Sequence, residues 1–410
     1  MKLFDTLTRK KRVFAPLRGK AVRIYTCGPS VYAYSHIGNF RTYLFEDVLV
    51  RYLEYKGYRV RRVMNITDVE DKAVEEARRE GRTLAQAQKD KIRTFFSEWD
   101  KLGLKRPGIV AKASEHVPEM ASLIRRICSR GYCRTEPDGV YFDVRKFGDY
   151  GKLRRLRHPR YFGKACDDDY VKEGLWDFRL WKRWAASDGK AKWKSPFGEG
   201  RPGWHIECSA ISMRYLGEQF DIHCGGADNI YPHHENEIAQ SMAATGKMPA
   251  RFWLHCRHLT IHKKKMSKRT GNVFYVGQLR EMGVEPSCLR FYLISSRYRN
   301  RLDFTMGKMR VQLLLLNRAK KTIRALRALS GKGSAKARSA LARKLVSGFE
   351  SAMDDDLNTR LAFKRIFRLL GNAEKLSASG KLLPQDARGI VRAIEKMDSV
   401  LGVLCSSEPC

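Results

Sequence analysis

The sequence lacks the segments that would direct a chain into or across a membrane. Its first residues, MKLFDTLTRKKRVF, are basic and contain no apolar run of the length that a signal peptide needs. No window approaches the length of a membrane span, and the leucines at 313–316 form only a short apolar patch. We therefore expect a soluble, cytoplasmic, monomeric protein with no membrane partner.

Short Cys-x-x-Cys spacings are absent, and acidic residues are scarce. Without a secretory context, the ten scattered cysteines favour reduced thiols and a metal site over a disulfide framework. The 80 Lys and Arg residues outnumber the 44 Asp and Glu residues, which gives a net charge of +36. With 43% hydrophobic residues the chain can bury a core, so this charge favours a polyanionic partner such as nucleic acid. Adaptation to an unusual cell interior is the alternative.

The stretch 21–39, AVRIYTCGPSVYAYSHIGN, organises the first part of the chain. Its apolar start predicts a buried strand, Gly28 and Pro29 a turn, and His36 the start of an amphipathic helix. A second strand at 58–67 completes a βαβ unit and hence a parallel sheet, whose ligands bind at the carboxyl ends of the strands. A free helix N-terminus at this edge favours phosphate.

Candidate metal ligands lie far apart in the sequence. His233 and Glu237 are four residues apart, so they share one face of a predicted helix. Cys27 and Cys208 follow or end apolar segments, and two thiolates, an imidazole and a carboxylate suit Zn²⁺. Spacing alone leaves the choice open, because four other residues compete for the same role, with a place in the core as their alternative: His205, His223, Cys224 and His234.

Two further segments favour phosphate chemistry. The run Lys263–Arg269, KKKMSKR, is either a solvated basic loop or a mobile clamp. As a clamp it would bring Lys265 and Lys268 onto a triphosphate as negative charge moves to the leaving pyrophosphate. Gly226 follows a predicted strand and would let backbone approach a nucleotide, while Asp228 would accept hydrogen bonds from ribose hydroxyls.

Seven motifs together, in this order, closely resemble those of the cysteinyl-tRNA synthetases. They are Thr26-Cys-Gly-Pro29, His36-Ile-Gly-Asn39, Asn65-Ile-Thr-Asp68, Gly200-Arg-Pro-Gly-Trp-His-Ile-Glu-Cys208, Pro232-His-His-Glu-Asn-Glu237, Lys265-Met-Ser-Lys268 and Met353-Asp-Asp-Asp-Leu-Asn-Thr359. The resemblance runs to about residue 404.

The resemblance implies an α/β fold: a Rossmann-type parallel-sheet catalytic domain with an inserted subdomain, followed by an all-α helical bundle. The expected boundaries are 1–110 and 201–262 for the catalytic halves, 111–200 for the inserted connective subdomain, 263–305 for the KMSK loop and stem-contact region, and 306–410 for the basic bundle. Typical members continue past this point into a small anticodon-binding domain, so anticodon recognition is the function we expect to differ.

The resemblance also implies the chemistry: ATP, entering with Mg²⁺, activates L-cysteine, and the cysteinyl group passes to tRNA(Cys). One Zn²⁺ per chain is expected on Cys27, Cys208, His233 and Glu237. Catalytic roles fall on His36, Asn39, Lys265 and Lys268, and ATP contacts on Gly38, Gly226, Asp228 and Lys268. Cysteine contacts fall on Cys27, Thr67, Trp204 and His223.

The segment 304–349 contains twelve Lys or Arg residues and no acid, with a core stripe at helical spacing. We expect it to bind tRNA through Lys320, Lys321, Arg324 and Arg327.

Two other functions are associated with motifs similar to these seven. A ligase of mycothiol synthesis joins cysteine to an amino sugar, but a basic bundle would not serve a small sugar. An inactive RNA-binding synthetase scaffold would not need the retained His36, Lys265, Lys268 and metal ligands.

Overall fold

The computed structural model describes residues 1–157, 160–164, 175–266, 271–331 and 340–405. The strands are β1 (Lys2–Asp5), β2 (Lys10–Val13), β3 (Ala21–Thr26), β4 (Arg59–Ile66), β5 (Ile109–Lys112), β6 (Cys133–Glu136), β7 (Gly139–Phe142), β8 (Tyr161–Lys164), β9 (Leu175–Arg183), β10 (Gly200–Pro202), β11 (Phe220–Gly226), β12 (Ala250–Cys256), β13 (Leu259–Ile261), β14 (Lys264–Lys265) and β15 (Leu302–Phe304). The helices are α1 (Ile37–Tyr55), α2 (Asp71–Arg79), α3 (Leu84–Lys101), α4 (Val117–Ser129), α5 (Trp204–Leu216), α6 (His233–Thr245), α7 (Val276–Glu281), α8 (Pro286–Ile294), α9 (Met306–Ser330), α10 (Ala340–Met353), α11 (Thr359–Ala378) and α12 (Pro384–Leu401).

A five-stranded parallel sheet forms the centre of the α/β part of the chain. Its strand order is β12-β11-β3-β4-β5, and each neighbouring pair is parallel. Helix α1 joins β3 to β4, so the βαβ unit expected from 21–67 is confirmed. Because all five strands run in one direction, the residues that follow β3, β4 and β11 meet at one edge of the sheet.

An antiparallel sheet is inserted between the two halves of this domain. Strands β6, β7, β9 and β10 form it by antiparallel pairing, and β8 is added parallel to β9. The buried carboxylate of Glu235, on α6, accepts hydrogen bonds from the backbone N–H groups of Gly151 (3.0 Å), Leu153 (3.4 Å) and Arg154 (2.8 Å). The insertion is therefore fastened directly to the helix that carries two candidate metal ligands.

Helices α9–α12 form the C-terminal bundle. The core stripe expected on α9 is confirmed, because Leu316, Ala319, Ile323 and Leu326 are all buried. Lys320 is buried as well, with 2% of its surface exposed. It lies four residues after Leu316 and three before Ile323, so helical spacing puts it on the face that packs into the bundle. The expectation that Lys320 contributes to an exposed tRNA surface is therefore wrong.

The segment 353–359 joins this bundle to the first residues of the chain. Asp356 is buried and accepts hydrogen bonds from the Phe4 N–H (2.8 Å), the Tyr298 hydroxyl (2.6 Å) and the Arg299 guanidinium (2.5 Å). Asp354 accepts one from the Tyr52 hydroxyl on α1 (2.8 Å). The acidic motif thus holds the bundle against the α/β part of the chain, because loss of the Asp356 carboxylate would leave buried donors unpaired.

The structure bears on two expectations that concern the whole chain. Cys128 and Cys133 form a disulfide between the end of α4 and the start of β6, so the expectation of reduced thiols is wrong at this pair. Sequence reasoning missed it because a five-residue separation matches no common metal or redox motif. None of the helices in the described ranges has the length and apolar character needed to cross a membrane.

Candidate active site

A cavity of about 650 Å³ opens at the carboxyl edge of the central sheet. Helices α1, α5 and α6 all begin at its wall. It brings together ten residues that the sequence singled out: Cys27, His36, Gly38, Asn39, Thr67, Trp204, Cys208, Gly226, Asp228 and His233. Residues from both halves of the chain thus meet in one cavity.

The candidate metal ligands lie at one end of this cavity. The donor atoms of Cys27, Cys208, His233 and Glu237 all lie within 4.8 Å of one another. The two sulfur atoms are 4.0 Å apart, and His233 Nε2 lies 3.2 Å from Glu237 Oε1. The helices explain the arrangement, because residues four apart share one helical face: His233 and Glu237 do so on α6.

A second group with the same spacing consists of Cys27, His223, His234 and Glu237. The cavity distinguishes the two groups, because Cys208 and His233 line it whereas His223 and His234 do not. A hydrogen bond of 2.9 Å between the Nδ1 atoms of His233 and His205 also directs His233 Nε2 toward Glu237. The set containing Cys208 and His233 is therefore the one that a molecule in the cavity can reach.

The chemistry of this set fits a bound metal. Glu237 Oε1 is buried, and no side chain of the described residues hydrogen bonds to it. Burial raises the pKa of the Cys27 thiol and raises that of Cys208 further, so both need a nearby cation to ionise. Burial also lowers the pKa of His233 to about 3, which leaves its imidazole neutral, as a metal ligand must be.

The N-terminus of α1 forms the other end of the cavity. His36 Nδ1 accepts a hydrogen bond from the Asn39 N–H (3.2 Å), and Asn39 Oδ1 accepts one from the His36 N–H (3.0 Å). A Cβ added to Gly38 would lie 2.9 Å from the His36 ring, so this turn needs glycine. His36 and Asn39 therefore cap the helix and also face the cavity, at a helix end that favours phosphate oxygens.

Two residues between these ends are held in place by defined contacts. The Thr67 hydroxyl donates to Glu207 (2.8 Å) and accepts from Asn65 (3.0 Å). The Trp204 ring stacks on the ring of His233, with 4.6 Å between their centroids. Both side chains line the space between the metal ligands and the helix end.

Gly226 and Asp228 lie on the wall near the end of β11. Asp228 Oδ1 is 3.4 Å from His258 Nε2, and both residues line the cavity. Asp228 is more than half exposed, so its carboxylate is accessible to a ligand.

The lysine motif reaches the cavity only in part within the described residues. Strand β14 ends at Lys265 and pairs with β13, and the next residue, Met266, lines the cavity. The backbone thus carries the residues before the loop to the cavity wall. The side chain of Lys265 and the whole of Lys268 lie outside the described residues.

Successive side chains of a strand point to opposite faces of the sheet, so His223 and Cys224 on β11 lie on different faces. His223 Nε2 hydrogen bonds to Glu237 Oε2 (2.9 Å), and its ring stacks on Trp253. His223 thus stands behind Glu237 and does not line the cavity as a cysteine contact would. Cys224 packs on the opposite face of the sheet, in the core that contains α1, and so is not placed to disturb the metal ligands.

Side chains to which the motifs assign no role form a layer around the candidate metal ligands. His205 contacts His233, and His234 Nε2 lies 3.2 Å from Cys27 Sγ. His234 Nδ1 in turn lies 2.8 Å from His255 Nε2. The signal for His205 and His234 was their place close to candidate ligands in the sequence, whereas His255 had no such signal. Nothing in the spacing indicated that Tyr32 and Lys72, which also line the cavity, belong to the site.

The family to which known proteins point agrees with the geometry of this site. The family model for the tRNA synthetases class I (C) catalytic domain matches residues 13–313, and the model for the DALR domain matches 348–405. Cysteine–tRNA ligase of Koribacter versatilis is 40% identical over 98% of this chain and 82% of its own length. That of Desulforudis audaxviator is 44% identical over 90% and 78%.

The chain belongs to the cysteine–tRNA ligase family. It is a class I aminoacyl-tRNA synthetase by sequence, and the resemblance drawn from the motifs is confirmed. The fold agrees. Mycobacterium tuberculosis methionyl-tRNA synthetase in complex with methionyl-adenylate superposes with a TM-score of 0.68 at 16% identity, covering 93% of this chain and 90% of that one. The α/β fold with a following helical domain is therefore confirmed as well.

Proposed function

We propose that this cysteine–tRNA ligase selects L-cysteine through a zinc ion held by Cys27, Cys208, His233 and Glu237. The observation that carries the proposal is the meeting of these four donors within 4.8 Å, three of which, Cys27, Cys208 and His233, line the cavity that also contains the α1 N-terminus. When bound, zinc would supply a soft Lewis acid that prefers the substrate thiolate to a hydroxyl. A pocket of shape alone separates near-isosteres by only about 10².

The side chains around the ligands hold this end of the cavity rigid. His205 keeps the His233 ring oriented through the Nδ1 contact, and Trp204 covers the same ring. His223 holds Glu237 Oε2, which leaves Oε1 for the metal. These three are positioning residues, and Thr67 borders the space left for the amino acid.

The opposite end of the cavity binds ATP with Mg²⁺ in this proposal. The cysteine carboxylate attacks the α-phosphorus, the α–β anhydride bond breaks, and pyrophosphate leaves with the bonding electrons. His36, Gly38 and Asn39 hold phosphate oxygens at the α1 N-terminus. Gly226 and Asp228 bind the nucleoside. A terminal ribose hydroxyl of tRNA(Cys) then takes the cysteinyl group, and AMP leaves. Positioning and charge stabilisation suffice for such steps.

Pyrophosphate exchange followed by transfer tests this function. The protein should support ATP–pyrophosphate exchange with L-cysteine, and exchange with L-serine should be lower by well over the factor of about 10² that pocket shape alone provides, since serine lacks the thiol that zinc selects. The product should be cysteinyl-tRNA. Equal exchange with serine would remove zinc as the selector, and transfer to an amino sugar instead of tRNA would contradict the function.

The exposed cations of α9 are proposed to bind the tRNA backbone. Lys321, Arg324 and Arg327 are exposed, and Arg327 also lies 3.1 Å from Glu395. Reversing all three charges to Glu should weaken tRNA binding and lower its log–log salt slope by about 0.7–0.9 for each phosphate that is no longer neutralised. Pyrophosphate exchange should stay unchanged, because α9 does not line the active-site cavity.

A matched control for this experiment is available at the other edge of the central sheet. Lys20, Arg59 and Arg61 are exposed there, near the amino ends of β3 and β4. Their reversal to Glu changes the net charge equally and should affect tRNA binding much less. Equal weakening in both variants would indicate attraction to the total charge, and the α9 assignment would be wrong.

A further inference from the structure

We propose that the chain has a second binding site, for a nucleoside phosphate, in a cavity of about 730 Å³ outside the active site. The cavity lies between α2, α3 and residues 188–193 of the insertion. The segment after β4 separates it from the active site: Thr67 and Lys72 line the catalytic cavity, whereas Asp68 and Val74 line this one. Its volume suits a ligand of nucleotide size.

The charges of the cavity favour an anion. Five cations line it: Arg78, Arg82, Lys89, Lys112 and Lys190. Across the described ranges, no carboxylate comes within salt-bridge distance of Arg78, Lys89 or Lys190. The cations that are paired, Arg82 with Glu80 and Lys112 with Glu115, meet exposed partners.

The two carboxylates in the cavity wall do not offset these cations. Asp68 is buried and accepts hydrogen bonds from the Ser114 N–H (2.8 Å) and hydroxyl (2.6 Å). Asp188 is buried and lies 3.3 Å from both Lys182 and Arg201. An incoming ligand therefore meets cations at the rim and carboxylates that are already engaged.

The floor of the cavity favours a base over a simple anion. Val74 and Ala77 of α2, Leu84 and Ile92 of α3, and the indole of Trp193 give it an apolar lining. An aromatic ring beside cations is the arrangement on which nucleic-acid bases stack while their phosphates are neutralised. A nucleoside phosphate, as a unit of an RNA strand or free, matches both features. An acidic peptide would use the rim and leave the floor empty.

The test uses the full chain with its catalytic site filled by a non-hydrolysable cysteinyl-adenylate analogue. Two probes are titrated: a fluorescein-labelled single-stranded hexaribonucleotide, followed by anisotropy, and labelled AMP, followed by equilibrium dialysis. The variant Arg78→Glu/Arg82→Glu should weaken binding at least tenfold, and Trp193→Ala should weaken it about tenfold. Pyrophosphate exchange should remain at the wild-type rate in all of them, because none of these residues lines the catalytic cavity.

The control is Arg79→Glu/Arg93→Glu, which makes the same charge change on α2 and α3 at positions outside the cavity wall. If the cavity variants lose only hexanucleotide binding, the ligand comes from an RNA strand. If they also lose AMP binding, the ligand is free nucleotide. Equal weakening by the control overturns the proposal, and so does a wild-type protein that binds neither the hexanucleotide nor AMP. So does displacement of both probes by hexaglutamate at the concentration at which hexanucleotide displaces them. These results do not depend on how cysteine is selected.

Discussion

Replacing Cys208 by Ala should remove the metal and cysteine activation together. Cys208 is proposed to supply one of two sulfur donors, and its Sγ lies 4.0 Å from that of Cys27. Loss of an outer-shell partner alone typically costs about 10–100-fold in metal affinity or activity, and loss of a ligand should exceed this. Elemental analysis of the purified variant and ATP–pyrophosphate exchange with cysteine measure the two effects independently.

Cys224→Ala provides the matched control for this variant. Cys224 is also a fully buried thiol, but it packs on the other face of β11, in the core beside α1. The control should keep one zinc per chain and near-normal exchange, with only the modest loss of stability that a small cavity brings. Stoichiometric zinc in Cys208→Ala, or loss of zinc in Cys224→Ala, would show that the ligand set is wrong.

Lys268→Ala should depress adenylate formation by about 10²–10³ while leaving cysteine binding nearly unchanged. The charge that Lys268 is proposed to meet develops on pyrophosphate only in the transition state, so its loss lowers kcat and spares ground-state binding. The course of the chain just before Lys268 supports this role, because β14 ends at Lys265 and Met266 lines the cavity. Exchange kinetics at saturating and subsaturating ATP and cysteine separate the two effects.

Lys264→Ala is the control, since Lys264 belongs to the same basic run and is exposed on β14. It should retain wild-type exchange. If Lys268→Ala does so too, the segment is a solvated basic loop and the clamp is wrong. If both variants lose exchange equally, total charge matters more than the position of one lysine.

Local features of the sequence predicted local structure well. The strand, glycine turn and helix of 21–55 followed from the periodicity of the apolar residues and from the turn that Gly28 and Pro29 mark. The shared face of His233 and Glu237 followed from the helical repeat. Cys27 and Cys208, however, are 181 residues apart, and no spacing rule brings them together. The resemblance of seven ordered motifs supplied that contact.

The errors have equally specific causes. Lys320 was assigned to the surface by its charge, although its distance from Leu316 and Ile323 puts it on the buried face of α9. His223 was assigned to the cysteine pocket by the family resemblance, whereas it does not line the cavity and its Nε2 hydrogen bonds to Glu237 Oε2. The cavity beside α2 and α3 depends on the packing of residues 188–193 against two distant helices, so no sequence pattern indicated it.

X-ray absorption at the zinc K-edge tests the proposed selection of cysteine most directly. The spectrum of the free protein should show two sulfur neighbours at about 2.3 Å, from Cys27 and Cys208, together with lighter donors. Addition of L-selenocysteine in place of cysteine should add a selenium neighbour, and L-serine should leave the spectrum unchanged. A metal shell without sulfur, or one that gains no selenium although the analogue is activated, would contradict selection of the substrate by zinc.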